Sequence, residues 1–113
     1  MVILMEEYFY KKITPYLEKK LTHKIDDYDS FFADLKNEFS ERGLAFCCNY
    51  ILENSSDISL LDYTIRRINQ KRYRENIKAL VNFILRSDGA NRLIDLKVLA
   101  IKTISNYKDS SAV

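Results

Sequence analysis

The chain of 113 residues contains two glycines, one proline and no tryptophan. Antiparallel sandwiches and barrels need turn residues at most of their hairpins, so this scarcity argues against an all-β fold. Hydrophobic residues make up 47% and charged residues 30%, which is the balance of a folded globular chain. We therefore predict an all-α fold, an irregular bundle of five or six helices in a single domain.

Cysteine is also scarce, and long apolar runs are missing. Cys47 and Cys48 are adjacent in sequence and cannot bridge each other without strain, so no disulfide framework is expected and a cytoplasmic location is predicted. The longest uncharged stretch, Gly43 to Leu52, is shorter than the roughly 18 apolar residues of a membrane helix. The first residues lack a basic leader before Glu6, so we predict neither a targeting signal nor a membrane partner.

The usual catalytic and cofactor motifs do not occur. The sequence has no glycine-rich phosphate loop, no H-E-x-x-H and no C-x-x-C. His23 is the only histidine, and no local signature pairs it with Cys47 or Cys48. We predict no cofactor, no metal site and no enzymatic activity.

The first helical pattern runs from about Ile3 to Lys24 and contains Pro15. Because proline is favoured at the first position of a helix, the pattern predicts a helix over 15–24, preceded by a short helix or a kinked continuation. A β-strand at Met1–Met5 is the less favoured alternative.

A second helix is predicted to begin at Asp29 or Ser30, either of which can accept a backbone N–H bond as the N-cap. Its core-facing residues recur at helical spacing: Phe31, Phe32, Leu35 and Phe39. Gly43 is predicted to end it, since glycine adopts the left-handed conformation at little cost.

An apolar helix is predicted for Leu44 to about Glu53, followed by a break at residues 54–57. Ser59 and Asp62 have the spacing of a capping box, which predicts that the next helix begins at Ser59.

The apolar face of residues 60–87 changes direction midway. Leu61, Ile65 and Ile68 share one face, whereas Tyr73, Ile77, Leu80 and Ile84 share another. We predict a break between Asn69 and Tyr73, with a single helix as the alternative, and a stop at Gly89.

The last helix is predicted for about Arg92 to Tyr107. It is apolar on more than one side, so it is either central or covered by a partner, which makes a homodimer possible. The helical domain is predicted to span 1–108, with a flexible tail at 109–113.

Charge divides the chain into two halves. Residues through Asp57 carry 11 acids and 7 bases, and those from Ile58 carry 5 acids and 11 bases. This asymmetry can steer a charged partner, or it can reflect attraction between the halves within one fold.

The acidic half predicts a protein-binding surface. Asp34, Glu38 and Glu41 are spaced i, i+4, i+7 on the side of the helix opposite Phe32, Leu35 and Phe39, and Asp27 and Tyr28 lie just upstream. Such a row can dock on a basic protein, as small inhibitors, immunity proteins and antitoxins do. This is the leading functional hypothesis, and the eight tyrosines support it because tyrosine is favoured in interfaces.

The basic half predicts the alternative, a nucleic-acid-binding regulator. Residues 64–78 contain six bases and one acid. In a continuous helix, Arg67, Lys71, Arg74 and Lys78 would form a row able to follow a phosphate backbone. The full candidate set is Arg66, Arg67, Lys71, Arg72, Arg74 and Lys78. A helix-turn-helix over 44–72 matches only in length, because its arginines begin late in the second helix.

Overall fold

The computed structural model describes the backbone of residues 2–86 and 90–111, and the side chains of 7–86 and 91–107. Within these ranges all regular structure is helical, which confirms the predicted all-α bundle. The α-helices are α1 (Val2–Lys20), α2 (Tyr28–Asn54), α3 (Ile58–Lys71), α4 (Ile77–Ile84) and α5 (Ala90–Ser111). Helix α2 packs against α1, α3 and α4, while α5 packs against α3 and α4.

Two of the sequence-based predictions fall at the edge of the described residues. The predicted stop at Gly89 lies outside them, and so do residues 112 and 113 of the predicted flexible tail. Helix α5 extends to Ser111, so the tail at 109–113 stays a prediction.

Helix α1 continues through Pro15, so of the two predicted alternatives the structure has the continuation and not a separate short helix before that residue. Pro15 lies on the exposed side, where water can hydrate the carbonyl group that loses its N–H donor. The buried side chains Ile13 and Leu17 are one turn apart and hold both sides of the proline against α2. The helix ends at Lys20, four residues earlier than predicted.

Helix α2 is divided at Ser40, and Gly43 does not end it. Ser40 has φ 70° and ψ 174°, a conformation outside the helical region, and its hydroxyl accepts a bond from the Gly43 N–H at 3.4 Å. Ser40 therefore caps the second half of the helix. The prediction of a stop at Gly43 was wrong because this glycine serves close packing: a Cβ there would lie 2.5 Å from Phe39 Cβ and 3.1 Å from the Phe9 ring.

Replacing Ser40 by glycine should stabilise the protein by about 1 kcal/mol. A non-glycine residue in this region costs about 1–3 kcal/mol in strain, whereas glycine at an N-cap loses only a few tenths of a kcal/mol relative to serine. Urea unfolding of the Ser40→Gly variant measures the difference. Ser40→Ala is the control, because it keeps the strain and loses the cap, so it should be less stable than the wild type. Equal stability of both variants would contradict this account.

The N-caps of α2 and α3 are Asp27 and Asp57. The predicted caps were Asp29 or Ser30 for α2 and Ser59 for α3. The Asp27 carboxylate accepts bonds from the N–H groups of Asp29 and Ser30 at 3.0 and 3.3 Å. Asp57 does the same for Ser59 and Leu60 at 3.1 and 3.3 Å. Each helix thus begins one or two residues before the predicted start.

The predicted break between Asn69 and Tyr73 is confirmed. Helix α3 ends at Lys71, and Arg72 adopts the left-handed conformation with φ 55° before the 3-10 turn Arg74–Asn76. Asn76 is fully buried, and its side-chain amide donates to Ala45 O at 2.9 Å and to Asn49 Oδ1 at 2.8 Å. These bonds attach the segment after the break to α2.

The two predicted faces around this break are partly correct. Leu61, Ile65 and Ile68 are buried as expected. On α4 the buried side chains are Ala79, Leu80 and Phe83, whereas Ile77 is exposed. The buried side of α4 is therefore rotated from the predicted one: Leu80 belongs to both, but Ala79 and Phe83 take the place of Ile77 in the core.

Candidate functional site

The predicted acidic surface is only partly available to a partner. Asp27 is occupied as the cap of α2, and Tyr28 is half-buried with its ring 5.5 Å from that of Tyr63. Asp34 and Glu38 are exposed, and neither forms an ion pair with a described residue. Two of the five predicted residues thus present free carboxylates.

Glu41, the last member of the acidic row, is bound within the protein. Its carboxylate lies 3.5 Å from Lys36 Nζ and 3.4 Å from Lys71 Nζ, and it accepts a hydrogen bond from the Tyr73 hydroxyl. The Tyr73 bond, followed by the two lysines, lowers the pKa of Glu41 to about 2. This contact joins α2 to both sides of the break after α3.

Replacing Glu41 by glutamine should weaken the fold at neutral pH and flatten its response to acid. A carboxylate whose pKa is lowered by folding contributes stability above its unfolded value, near 4.5, and loses that contribution as the pH falls towards 2. Thermal melts between pH 2 and 7 should therefore show a steeper acid loss for the wild type than for Glu41→Gln. Glu38→Gln is the control on the same helix. Parallel pH profiles of the wild type and Glu41→Gln would contradict the assignment.

The predicted basic row is interrupted by the break. Arg66 pairs with Asp62 at 3.1 Å, and Lys71 pairs with Glu41. The Arg67 guanidinium lies 5.6 Å from the centre of the Phe32 ring, and its Nε atom is buried. Arg67 and Lys71 therefore face neighbouring elements of the fold instead of forming a continuous exposed row.

The remaining bases of the set lie beyond the end of α3. Arg72 is the left-handed C-cap and donates from Nε to Asn69 O at 3.1 Å. Arg74 begins the 3-10 turn, and Lys78 is exposed on α4. The structure distributes the six predicted residues over three elements, whereas a continuous helix would have aligned four of them.

Several contacts join the acidic first half to the basic second half. Besides the Glu41 contacts, the Tyr63 hydroxyl donates to Asp29, and Arg42 lies 3.9 Å from Glu75. The tyrosines contribute here as boundary residues. Tyr8 is exposed, Tyr107 is buried, and the other six are half-buried. Part of the charge asymmetry of the sequence therefore supplies contacts between the two halves of the folded chain.

The two cysteines are buried, whereas the single histidine is exposed. Cys47 and Cys48 are buried free thiols, and burial raises the pKa of Cys48 to about 12. His23 lies exposed after α1. It lines neither the cleft between α1, α2 and α4 nor the cleft beside the α2–α3 connection. Among the described residues, no group of three or more metal-binding side chains could hold a metal ion.

Two open clefts have mixed polar and apolar linings. The larger, about 420 Å³, lies between α1, α2 and α4 and is lined by Tyr10, Asn49, Glu53, Glu75, Lys78 and Asn82, among others. The smaller, about 340 Å³, lies beside the connection between α2 and α3. Both clefts are open to solvent and contain polar and apolar side chains side by side.

The largest concentration of exposed apolar side chains lies on α4 and α5. Within the described side chains, seven large hydrophobic residues are exposed, and six of them belong to this pair of helices or to the residue that caps α4. We call this set the α4–α5 apolar surface: Ile77, Val81, Leu85, Ile94, Val98 and Ile101. Leu85 is 73% exposed, and the three residues of α5 are each about half exposed.

The contacts of α5 place its exposed apolar residues beside α4. Asn106 donates to Asn69 of α3 at 2.7 Å, and Lys97 donates to the carbonyl of Arg86, just after α4. These two residues point about 180° apart on α5. Helix α4 therefore borders the Lys97 side of α5, which is the side towards which Ile94, Val98 and Ile101 project.

Helix α4 has an exposed apolar stripe of its own. Ile77, Val81 and Leu85 are exposed, whereas Ala79, Leu80 and Phe83 are buried. Helices α4 and α5 pack directly against each other, so the two exposed stripes lie on adjoining helices. The six side chains together are the candidate surface. The sequence had signalled it only as a final helix that is apolar on more than one side.

No family model, no curated protein and no solved structure matches this chain. No helix in the described part of the chain is long and apolar enough to cross a membrane.

Proposed function

We propose that this protein is a non-catalytic, cytoplasmic binding module that docks another protein on its α4–α5 apolar surface. The observation that carries the proposal is that, among the described side chains, six of the seven exposed large hydrophobic residues lie on α4, its C-cap residue or α5. Single exposed apolar residues are ordinary on protein surfaces, but contiguous ones with a polar rim are typical of interaction sites. The two buried free cysteines support the cytoplasmic location.

The composition of the surface supports a protein partner in particular. All six side chains are aliphatic, and they lie on two helices whose buried sides already fill the core. Covering them with another protein would remove apolar area from water at a gain of roughly 25 cal/mol per Å². Folding of this chain alone does not bury that apolar area.

The acidic helix is a second candidate surface within the same class. Asp34 and Glu38 are exposed one turn apart on α2 and have no ion-pair partner among the described residues. An inhibitor, immunity or antitoxin-like protein could use them to orient on a basic target. Glu41 contributes less, because it is held by Lys36, Lys71 and Tyr73.

The nucleic-acid alternative has less support. Two of its six candidate bases, Arg66 and Lys71, are paired with carboxylates, and the row is divided at Arg72. A phosphate-binding surface needs cations that are free to displace counterions. Arg74 and Lys78 are the exposed members that remain without an ion pair to a described residue.

A pull-down from the native host's lysate tests the proposal, with and without nuclease treatment. We expect a stoichiometric protein that survives nuclease and is lost when Val81→Asp and Val98→Asp are combined. Tyr8→Asp is the matched control, because it places the same charge at an exposed hydrophobic residue far from α4 and α5 in sequence. Circular dichroism of each variant verifies that it is folded.

Two further variants separate the alternatives. Loss of the protein on combining Asp34→Lys with Glu38→Lys, with no effect of the α4–α5 variant, would transfer the function to the acidic helix. Nucleic acid that co-elutes and is lost with Arg74→Glu and Lys78→Glu would overturn the proposal.

A further inference from the structure

Two strained points of the backbone lie next to each other in the fold. Among the described residues, Ser40 and Arg72 are the two non-glycine residues with positive φ, at 70° and 55°. Such conformations persist only where the surrounding structure holds them, and the region of Ser40, with ψ 174°, is essentially restricted to glycine. Glu41 directly follows Ser40, Lys71 directly precedes Arg72, and their side chains lie 3.4 Å apart. The break within α2 and the break after α3 are therefore neighbours, although they are far apart in sequence.

Glu41 joins these two breaks at the surface. Its carboxylate lies 3.4 Å from Lys71 Nζ and accepts a hydrogen bond from the Tyr73 hydroxyl, so it contacts the residues on both sides of Arg72. Lys36, in the first half of α2, lies 3.5 Å from the same carboxylate. One side chain thus connects both halves of α2 with the end of α3 and with the chain that follows it.

Two further contacts join the same two segments. The fully buried Asn76 side chain donates from its amide to Ala45 O at 2.9 Å. Arg42 lies 3.9 Å from the Glu75 carboxylate. Neither segment can leave its strained conformation without breaking contacts to the other, so a change in one is transmitted to the other.

We infer that residues 40–45 and 71–76 form a coupled hinge, which opens and closes as one unit and which the Glu41 carboxylate latches in the closed state. Local openings occur in cooperative units at free energies below that of global unfolding. Relief of strain at Ser40 and Arg72 favours the open state, whereas the charge-assisted contacts of Glu41 favour the closed state. Because residues 72–76 connect α3 to α4, opening frees the angle between these two helices.

Native-state hydrogen exchange of the full chain tests the inference. The Gly43 N–H, which donates to the Ser40 hydroxyl, reports opening within α2. The Asn76 N–H, which donates to Tyr73 O, reports opening after α3. In the wild type the two amides should exchange with the same opening free energy, and it should be lower than that of Ile51 in the core of α2.

Removing the latch should affect both reporters equally. Glu41→Gln should accelerate exchange at Gly43 and at Asn76 about tenfold, because hydrogen bonds to a charged group are lost in the closed state. Glu38→Gln is the matched control, since Glu38 is exposed on the same helix and forms no ion pair with a described residue. It should change the exchange of neither amide.

A stabilising variant tests the coupling from the opposite direction. Ser40→Gly relieves the strain within α2, so in a coupled hinge it should slow exchange at Asn76, after α3, about fivefold. Asn76 is the reporter here because the substitution removes the hydroxyl that the Gly43 N–H contacts.

Different opening free energies at Gly43 and Asn76 in the wild type would overturn the inference. So would Glu41→Gln acting on one of the two amides alone or on neither. Unchanged exchange at Asn76 in Ser40→Gly would show that the two breaks open independently. Exchange of both amides with the opening free energy of Ile51 would show that they open only when the whole protein unfolds.

Discussion

Truncating Phe32 to alanine should cost about 3–5 kcal/mol of unfolding free energy. The side chain is fully buried, its ring lies 4.9 Å from that of Tyr63, and its face is covered by the Arg67 guanidinium. Removing the ring opens a cavity between α2 and α3 and also deprives a partly buried cation of its aromatic neighbour. Since a small domain has about 5–15 kcal/mol in total, urea unfolding should show a large decrease in the midpoint.

Phe32→Leu separates the two contributions to this loss. Leucine retains much of the volume of phenylalanine but has no aromatic face. The loss of unfolding free energy in Phe32→Leu should therefore be smaller, about 1 kcal/mol, and should come mainly from the lost ring contacts. The further loss from leucine to alanine reports the cavity. A cost below about 1 kcal/mol for Phe32→Ala would show that this side chain does not join α2 to α3 as described.

Replacing Gly43 by alanine should destabilise the protein by about 1–3 kcal/mol. In an ordinary helix this substitution stabilises, because alanine has the higher helix propensity by about 1 kcal/mol. Here the added Cβ would lie 2.5 Å from Phe39 Cβ, across the division of α2 at Ser40, and 3.1 Å from the Phe9 ring of α1. The two halves of α2 would have to shift relative to each other, and the Phe9 ring would have to move slightly. Chemical unfolding of the variant measures the sign of the change directly.

The exposed site Ala33 on the same helix calibrates this result. Ala33→Gly should cost about 0.5–1 kcal/mol through helix propensity alone. If close packing determines the effect at Gly43, both Gly43→Ala and Ala33→Gly lower the stability, although the first adds a methyl group and the second removes one. A gain in stability for Gly43→Ala would instead indicate that Gly43 is not closely packed against Phe39 and Phe9.

The helix boundaries show how far local sequence signals extend. The breaks at residues 54–57 and 69–73 were predicted correctly, since each combines polar residues or a change of apolar face with the end of a periodic segment. The caps were assigned to the wrong residues. Asp27, Asp29 and Ser30 can all cap a helix, and the choice depends on which start lets Phe31 and Phe32 enter the core.

The candidate sites illustrate a different difficulty. A helical wheel aligns Glu41 with Asp34 and Glu38, and Lys71 with Arg67, but it contains no information about contacts between distant elements. The Glu41–Lys71 pair joins residues thirty positions apart and withdraws one member from each predicted row. The α4–α5 apolar surface was similarly hidden, because sequence alone did not reveal which side of the final helix the core would cover.

The sequence by itself determined the helical class and the positions of the breaks at residues 54–57 and 69–73. These properties follow from composition and from periodicity over a few turns, both of which are local. Only the tertiary structure decided the role of Gly43, the internal pairing of Glu41 and the apolar residues left exposed on α4 and α5. Such features depend on which helix faces meet, and that depends on the packing of the whole chain, where many weak contacts act together.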